Sequence, residues 1–201
     1  TAAVQAPSQI AFTVKVRGKA SHAGFAPQDG VHAIRIAATA IAEMAIGRIG
    51  DDTTVNVGQI EGGRASNIVP DYCEVSGELR SFSHKKALEE LAKVEQIFAK
   101  EAEKCGGSIE FIRDICYQAY KTDEKESVVK EFQKACTACG IKSSLIATFG
   151  GSDQNKMSEH GIPGIVMASA MHQVHSCQEY TEVSEMAQVA GIVSELLQMK
   201  E

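Results

Sequence analysis

Residues 15–30, KVRGKASHAGFAPQDG, join two kinds of sequence. Before and into them, Gln9 to Val16 (QIAFTVKV) alternates apolar and polar residues, the period-two pattern of a half-buried strand. After them, Val31 to Ile46 is rich in alanine and carries apolar residues at helical spacing, with Asp29 near its start. Pro27 and Asp29-Gly30 punctuate the turn between the two. Inside that turn stands Ser21-His22-Ala23-Gly24, a histidine among small residues that leave the imidazole uncovered and let a backbone or ligand come close. Taken alone, His22 reads as a polar turn residue.

The pattern continues outward from this stretch. Thr53 to Gln59 (TTVNVGQ) is β-branched and alternating, and Glu61-Gly62-Gly63 breaks it. Tyr72 to Arg80 (YCEVSGELR) is a third strand, and Val57, Ile60, Val69, Val75 and Leu79 are placed to share a core with the first. Ser83 stands at the N-cap of a second helix, in which Leu88, Leu91, Val94 and Phe98 recur at spacings of three and four. Cys105-Gly106-Gly107 stops it, and Ser108 to Tyr117 is a fourth strand. The order β-α-β-β-α-β over residues 8–119 predicts an α+β domain of the split βαβ, ferredoxin-like kind: one four-stranded sheet with both helices on one face.

After a charged connector, Lys121 to Glu126, the grammar changes. Ser127 to Cys139 reads as a helix and Ser144 to Thr148 as a short strand. Gly150-Gly151-Ser152-Asp153 is a turn into a helix ending near Gly161. Ile165 to Ala168 is another short strand, and Val183 to Met199 a closing amphipathic helix. Strands alternating with helices imply a parallel sheet covered on both faces. Two strands cannot form such a sheet alone, so residues 120–201 are expected to be part of a larger α/β domain. The sequence shows no internal repeat and no low-complexity segment.

Composition narrows the function classes. The 201 residues are 44% apolar and 23% charged, ordinary for a folded globular chain. A formal charge of −6 and only 5% aromatic residues disfavour a nucleic-acid partner and an RNA-binding sheet. No apolar run approaches the ~20 residues of a membrane span, so no membrane partner is expected. The chain starts at Thr1 with no signal-peptide pattern, which reads as a processed or artificially set end. Six cysteines at 73, 105, 116, 136, 139 and 177 are too irregular for a secreted disulfide framework. Reduced thiols, and hence a cytoplasmic location, are the expectation. Cys136-Thr-Ala-Cys139 closes a helix, whereas a redox pair opens one, where the helix dipole lowers the thiol pKa; it reads as structural.

Five motifs then occur in order: GKASHAGFAPQDGVHAI, EGGRASNIVPD, GELRSF, GGSDQN and HQVHSCQE. Together they resemble the zinc-peptidase superfamily of peptidase T, carboxypeptidase G, aminoacylase and succinyl-diaminopimelate desuccinylase, with the peptidase T-like, tripeptidase branch nearest. The resemblance runs from about Gln5 to the C-terminus. It implies that residues 8–119 are a lid and dimerisation domain and that 120–201 are the C-terminal part of an α/β catalytic domain. It also implies two zinc ions per active site, a homodimer formed through the lid, and a short peptide as substrate, hydrolysed at its N-terminal bond.

The same resemblance assigns roles. His22 matches a lid histidine that reaches the partner subunit's active site and stabilises the tetrahedral oxyanion. Asn67 and Arg80 match lid residues that face the substrate, and arginine's planar fork suits a peptide carboxylate. The turn with Gly151, Ser152, Asp153 and Asn155 matches a glycine-rich segment beside the metals, where backbone N–H groups and a helix start favour an anion or carbonyl oxygen. His175, four residues before Glu179, matches a zinc ligand and falls past the end of a strand, where ligands of open α/β sheets bind; His172 is a nearby competitor. A zinc pair needs about five ligands and a glutamate base. This sequence has no His-x-Asp, and Glu89-Glu90 lies on the solvated face of the lid helix. The chain alone is therefore expected to be inactive, with the N-terminal half of the catalytic domain absent. The competing reading is a non-catalytic ferredoxin-like dimerisation or ligand-binding module, since fold does not fix function. Such a module has no use for the last two motifs.

Overall fold

The structure is a computed structural model that describes residues 1–199. It opens on β1 (Ala2–Ala6), a strand that pairs with elements far along the chain. Residues Pro7–Ala119 form one compact unit, and Thr1–Ala6 with the described residues from Tyr120 onward form the other.

The first unit contains β2 (Ser8–Arg17), β3 (Ser21–His22), a 3-10 turn (Pro27–Asp29), α1 (Ala33–Glu43), β4 (Gly47–Ile49), β5 (Thr53–Gly62), β6 (Ile68–Val69), β7 (Tyr72–Ser81), α2 (His84–Lys104) and β8 (Ser108–Tyr117). Its sheet has the order β4-β5-β7-β2-β8, antiparallel throughout. The last four of these are the strands of the predicted split βαβ pattern. The alternation read in β2 is the alternation observed: Ile10, Phe12, Val14 and Val16 are buried, and the residues between them face the other side. α1 sets Ala33, Ile36, Ala37 and Ala40 against this core; α2 adds Ala87, Leu91, Val94, Phe98 and Ala102. Ser83 caps α2 by accepting a hydrogen bond from the Lys86 N–H at 3.3 Å. Gly77 is required where β7 passes under Phe12: a Cβ there would stand 2.3 Å from the Asn56 carbonyl oxygen and 2.4 Å from the Phe12 ring.

Three details depart from the sequence reading. A fifth strand, β4, covers only the first three residues of β5, Thr53 to Val55. α1 is shorter than residues 31–46, and its cap is His32, whose Nδ1 accepts from the Arg35 N–H at 3.2 Å. Asp29 ends the preceding 3-10 turn instead. Ile60, expected in the core, is 51% exposed. A bulge between Val57 and Gln59 resets the phase of β5 and places Ile60 opposite buried Val75, but on an edge strand where nothing in the unit covers it.

The second unit continues with β9 (Tyr120–Lys121), α3 (Ser127–Ala138), β10 (Leu145–Ala147), α4 (Asp153–Glu159), β11 (Val166–Met167), β12 (Met171–His172), β13 (Tyr180–Thr181) and α5 (Val183–Gln198). The expected parallel sheet is a mixed one. β1 runs parallel to β10 and antiparallel to β11 and β9, so four strands meet around the first residues of the chain. Ala2, Phe132, Ala135, Cys136 and Ile192 form its core. Cys136 is walled into that core, and burial pushes its thiol pKa up, the opposite of a redox thiol. α5 buries one side and leaves Val183, Met186 and Leu197 exposed, Val183 at 83% and Leu197 at 82%.

Candidate functional site

The turn quoted at the outset folds into a small ribbon. β3 pairs with β6, His22 opposite Ile68 and Ser21 opposite Val69, and the Ala23 N–H donates to the Asn67 carbonyl at 3.0 Å. This pairing brings together two residues 45 positions apart, His22 and Asn67, both exposed. Gly30 makes the ribbon possible, because a Cβ there would lie 2.4 Å from Ser21 Oγ and 2.8 Å from Val69. The His22 imidazole is anchored by its own turn: Nδ1 accepts from the Gly24 N–H at 3.1 Å and the Phe25 N–H at 3.2 Å. Its ring stacks on Phe25, centroids 4.3 Å apart. A backbone N–H can only donate, so Nδ1 is the acceptor, and the neutral ring carries its proton on Nε2, on the edge turned away from the turn.

Arg80 stands elsewhere in the same unit, on the helix-free face of the sheet opposite Gln9 and Thr54. Its Nε donates to Glu78 Oε1 at 2.8 Å and its Nη2 to Oε2 at 3.1 Å, while the Gln9 amide donates to the same carboxylate at 2.6 Å. The carboxylate beside it raises the guanidinium pKa further. The sequence-assigned substrate arginine thus already grips a carboxylate, that of its own strand neighbour.

In the second unit, Gly150 to Ser152 lead into α4. Ser152 is the N-cap, and its N–H donates to Asn155 Oδ1 at 3.1 Å. Asn155 is fully buried, so its side chain holds the turn rather than facing outward; Gly151 and Asp153 are exposed. The turn lines a cleft of about 220 Å³ together with Thr148, Ile146 and Val166. Below it the Tyr120 hydroxyl is buried, which raises its pKa, and Ser152 opposes that rise.

His175 lies on the loop between β12 and β13, exposed and with φ of 62°. Ala170 and Gln173 share that left-handed conformation, at 61° and 51°. Three such non-glycine residues within six are a concentration of backbone strain, which gathers at functional loops. The loop is tied down by the His175 N–H to Glu179 Oε2 at 2.9 Å, by Ser176 Oγ to the Gln173 carbonyl at 2.7 Å, and by Thr181 Oγ1 to the Ala170 carbonyl at 2.6 Å. His172 is engaged otherwise: Nε2 lies 2.5 Å from Glu185 and the ring stacks on Tyr180 at 4.8 Å. The two histidines thus differ in their partners. Among the described residues no three His, Cys, Asp or Glu side chains gather as a metal site. The part played by Phe25 was not read from the sequence; the only signal was an aromatic residue in a turn otherwise made of small ones.

Residues 7–105 match the peptidase dimerisation domain, so this part of the chain belongs to the dimerisation domains of M20 peptidases. The likeness extends over nearly all of the chain. It is 36% identical to aminopeptidase PepT from Bacillus cereus ATCC 10987, with a TM-score of 0.86, covering 98% of this chain and 54% of that one. With a tripeptidase from Staphylococcus aureus subsp. aureus Mu50 the identity is 31% and the TM-score 0.92, covering 98% and 52%. YqjE of Bacillus subtilis (strain 168), described as uncharacterized, is 34% identical over 195 residues, 97% of this chain and 53% of that protein. The chain is therefore related to tripeptidases and aminopeptidases, and it spans about half the length of the relatives it matches. No described helix is long and apolar enough to cross a membrane.

Proposed function

We propose that the chain is the lid and the C-terminal part of the catalytic domain of a homodimeric, dinuclear-zinc peptidase that cleaves the N-terminal bond of short peptides such as tripeptides. The observation that carries this reading is the His22 imidazole, held by Nδ1 in its own turn with Nε2–H presented outward, in a domain of the dimerisation family. A fixed neutral donor of this kind stabilises the oxyanion of a tetrahedral intermediate. In a two-fold dimer it can do so in the partner's active site.

The residues present fit one corner of the metal centre. His175 offers an exposed imidazole on a strained, internally braced loop, and Glu179 fixes its backbone. A bound zinc pair supplies a water of lowered pKa and polarises the scissile carbonyl. This chain's own part is to hold and orient the substrate. The Gly150–Asp153 turn offers the N–H groups of Gly151 and Asp153, those of Gly150 and Ser152 already donating to Thr148 Oγ1 and Asn155 Oδ1. Asn67 stands beside His22 on the ribbon, and Arg80 receives a substrate carboxylate by exchanging it for Glu78.

The dimer would form along the open edge of β5 beyond Val55, next to the small-residue face of α1, where Ala38 and Ala42 are exposed. The test uses the intact parent enzyme. Two inactive variants, His22→Ala and His175→Ala, are mixed under conditions that exchange subunits. If His22 acts in the partner's site, each mixed dimer holds one complete site, and about a quarter of the activity returns by symmetry. If His22 acts within its own subunit, mixing restores nothing.

A further inference from the structure

Phe25 is 85% exposed, the most open of the large apolar side chains, yet its ring is not idle. It lies 4.3 Å from the His22 ring at an interplanar angle of 27°, and its backbone N–H is one of the two donors on His22 Nδ1. The other donor is the Gly24 N–H, and a Cβ at Gly24 would stand 3.5 Å from the imidazole, an ordinary contact. One face of the imidazole is thus covered by a phenyl ring, one edge is bonded, and only the Nε2–H edge is directed away from the turn.

We infer that Phe25 is the positioning residue of His22: its ring and its N–H together keep the imidazole in one orientation and one tautomer, the Nε2–H form. Stacked rings at this distance contribute beyond their area, and here the contact restricts rotation of an exposed side chain. A histidine anchored only by the two weak N–H bonds would exchange rotamers and offer Nδ1 or Nε2 in turn. A donor misplaced by even 1 Å loses most of its value in a transition state. The consequence for catalysis rests on the oxyanion role proposed above; the positioning itself does not.

The test is made on the 201-residue chain, labelled with ¹⁵N, by long-range proton–nitrogen correlation, with His22→Ala to assign the signals. The wild-type chain is expected to show Nδ1 unprotonated and Nε2 protonated, as separate sharp resonances. Phe25→Ala, at a site that carries no core, is expected to keep the melting temperature while the two nitrogens move toward averaged shifts; Phe25→Tyr restores the wild-type pattern. Unchanged nitrogen shifts in Phe25→Ala, or a wild-type ring that is already averaged or protonated on Nδ1, overturn the inference. In the intact parent, Phe25→Ala is expected to lower kcat about tenfold with KM little changed. Averaged shifts with an unaltered kcat uphold the positioning and overturn the catalytic role of His22 instead.

Discussion

At the residue scale, the two candidate histidines are held differently. His22 is a fixed donor with no other titratable side chain bonded to it; His175 is an exposed imidazole on a braced, strained loop. In the intact parent, His22→Ala should lower turnover about 100- to 1000-fold with zinc content unchanged, the usual cost of one lost oxyanion donor. His175→Ala should lower bound zinc, measured by atomic absorption on the same preparations. Equal zinc loss in both would refute the division of roles. Glycines mark the tight places. Gly77→Ala should cost about 1–3 kcal/mol in denaturant unfolding, as overpacking does, because its Cβ meets the backbone of β5. A cost below the error of the measurement would show that β5 and β7 can part more easily than their register suggests.

At the scale of elements, how much the sequence disclosed varied with how local the signal was. β2, β7 and α2 were legible because alternation and helical spacing are local, and each has a face turned to the core. β1 was not, since Ala2-Ala3-Val4-Gln5-Ala6 lacks alternation and Val4 is its one β-branched residue; it is a strand because β9, β10 and β11 from later in the chain close around it. The antiparallel sense of β11 was hidden for the same reason. At the site, the ribbon joining His22 to Asn67 depends on a long-range pairing no spacing announces. Arg80 gripping Glu78 was foreseeable as a salt bridge, but burial of Asn155 was not. The edge of β5 carries its own prediction. Ile60→Lys places a charge on an uncovered edge, the common way that edges are kept from pairing. It should shift the chain to monomer at about 100 µM in light scattering, where the wild type is expected to be dimeric. A dimer unaffected by Ile60→Lys would place the interface elsewhere.

At the scale of the whole molecule, the two units differ in how far their own residues satisfy them. The unit of residues 7–119 closes its core with its own helices. The other exposes Val183 and Leu197 on α5 almost entirely, and its short sheet has β10 and β11 as edge strands. Amide hydrogen exchange should therefore be slowest in β2, β7 and α2 and faster through α5 and β10, with protection of the latter rising when the N-terminal half of the proposed parent is added. One imidazole does not hold a catalytic zinc, which takes three or more protein ligands, and no described group of side chains supplies the others. The most direct measurement is hydrolysis of tri-alanine by the purified chain with zinc present, before and after adding a separately made N-terminal half of the parent. The chain alone should show no zinc-dependent hydrolysis, and hydrolysis should appear on addition. Zinc-dependent hydrolysis by the chain alone, at the rate of a complete peptidase, would contradict this.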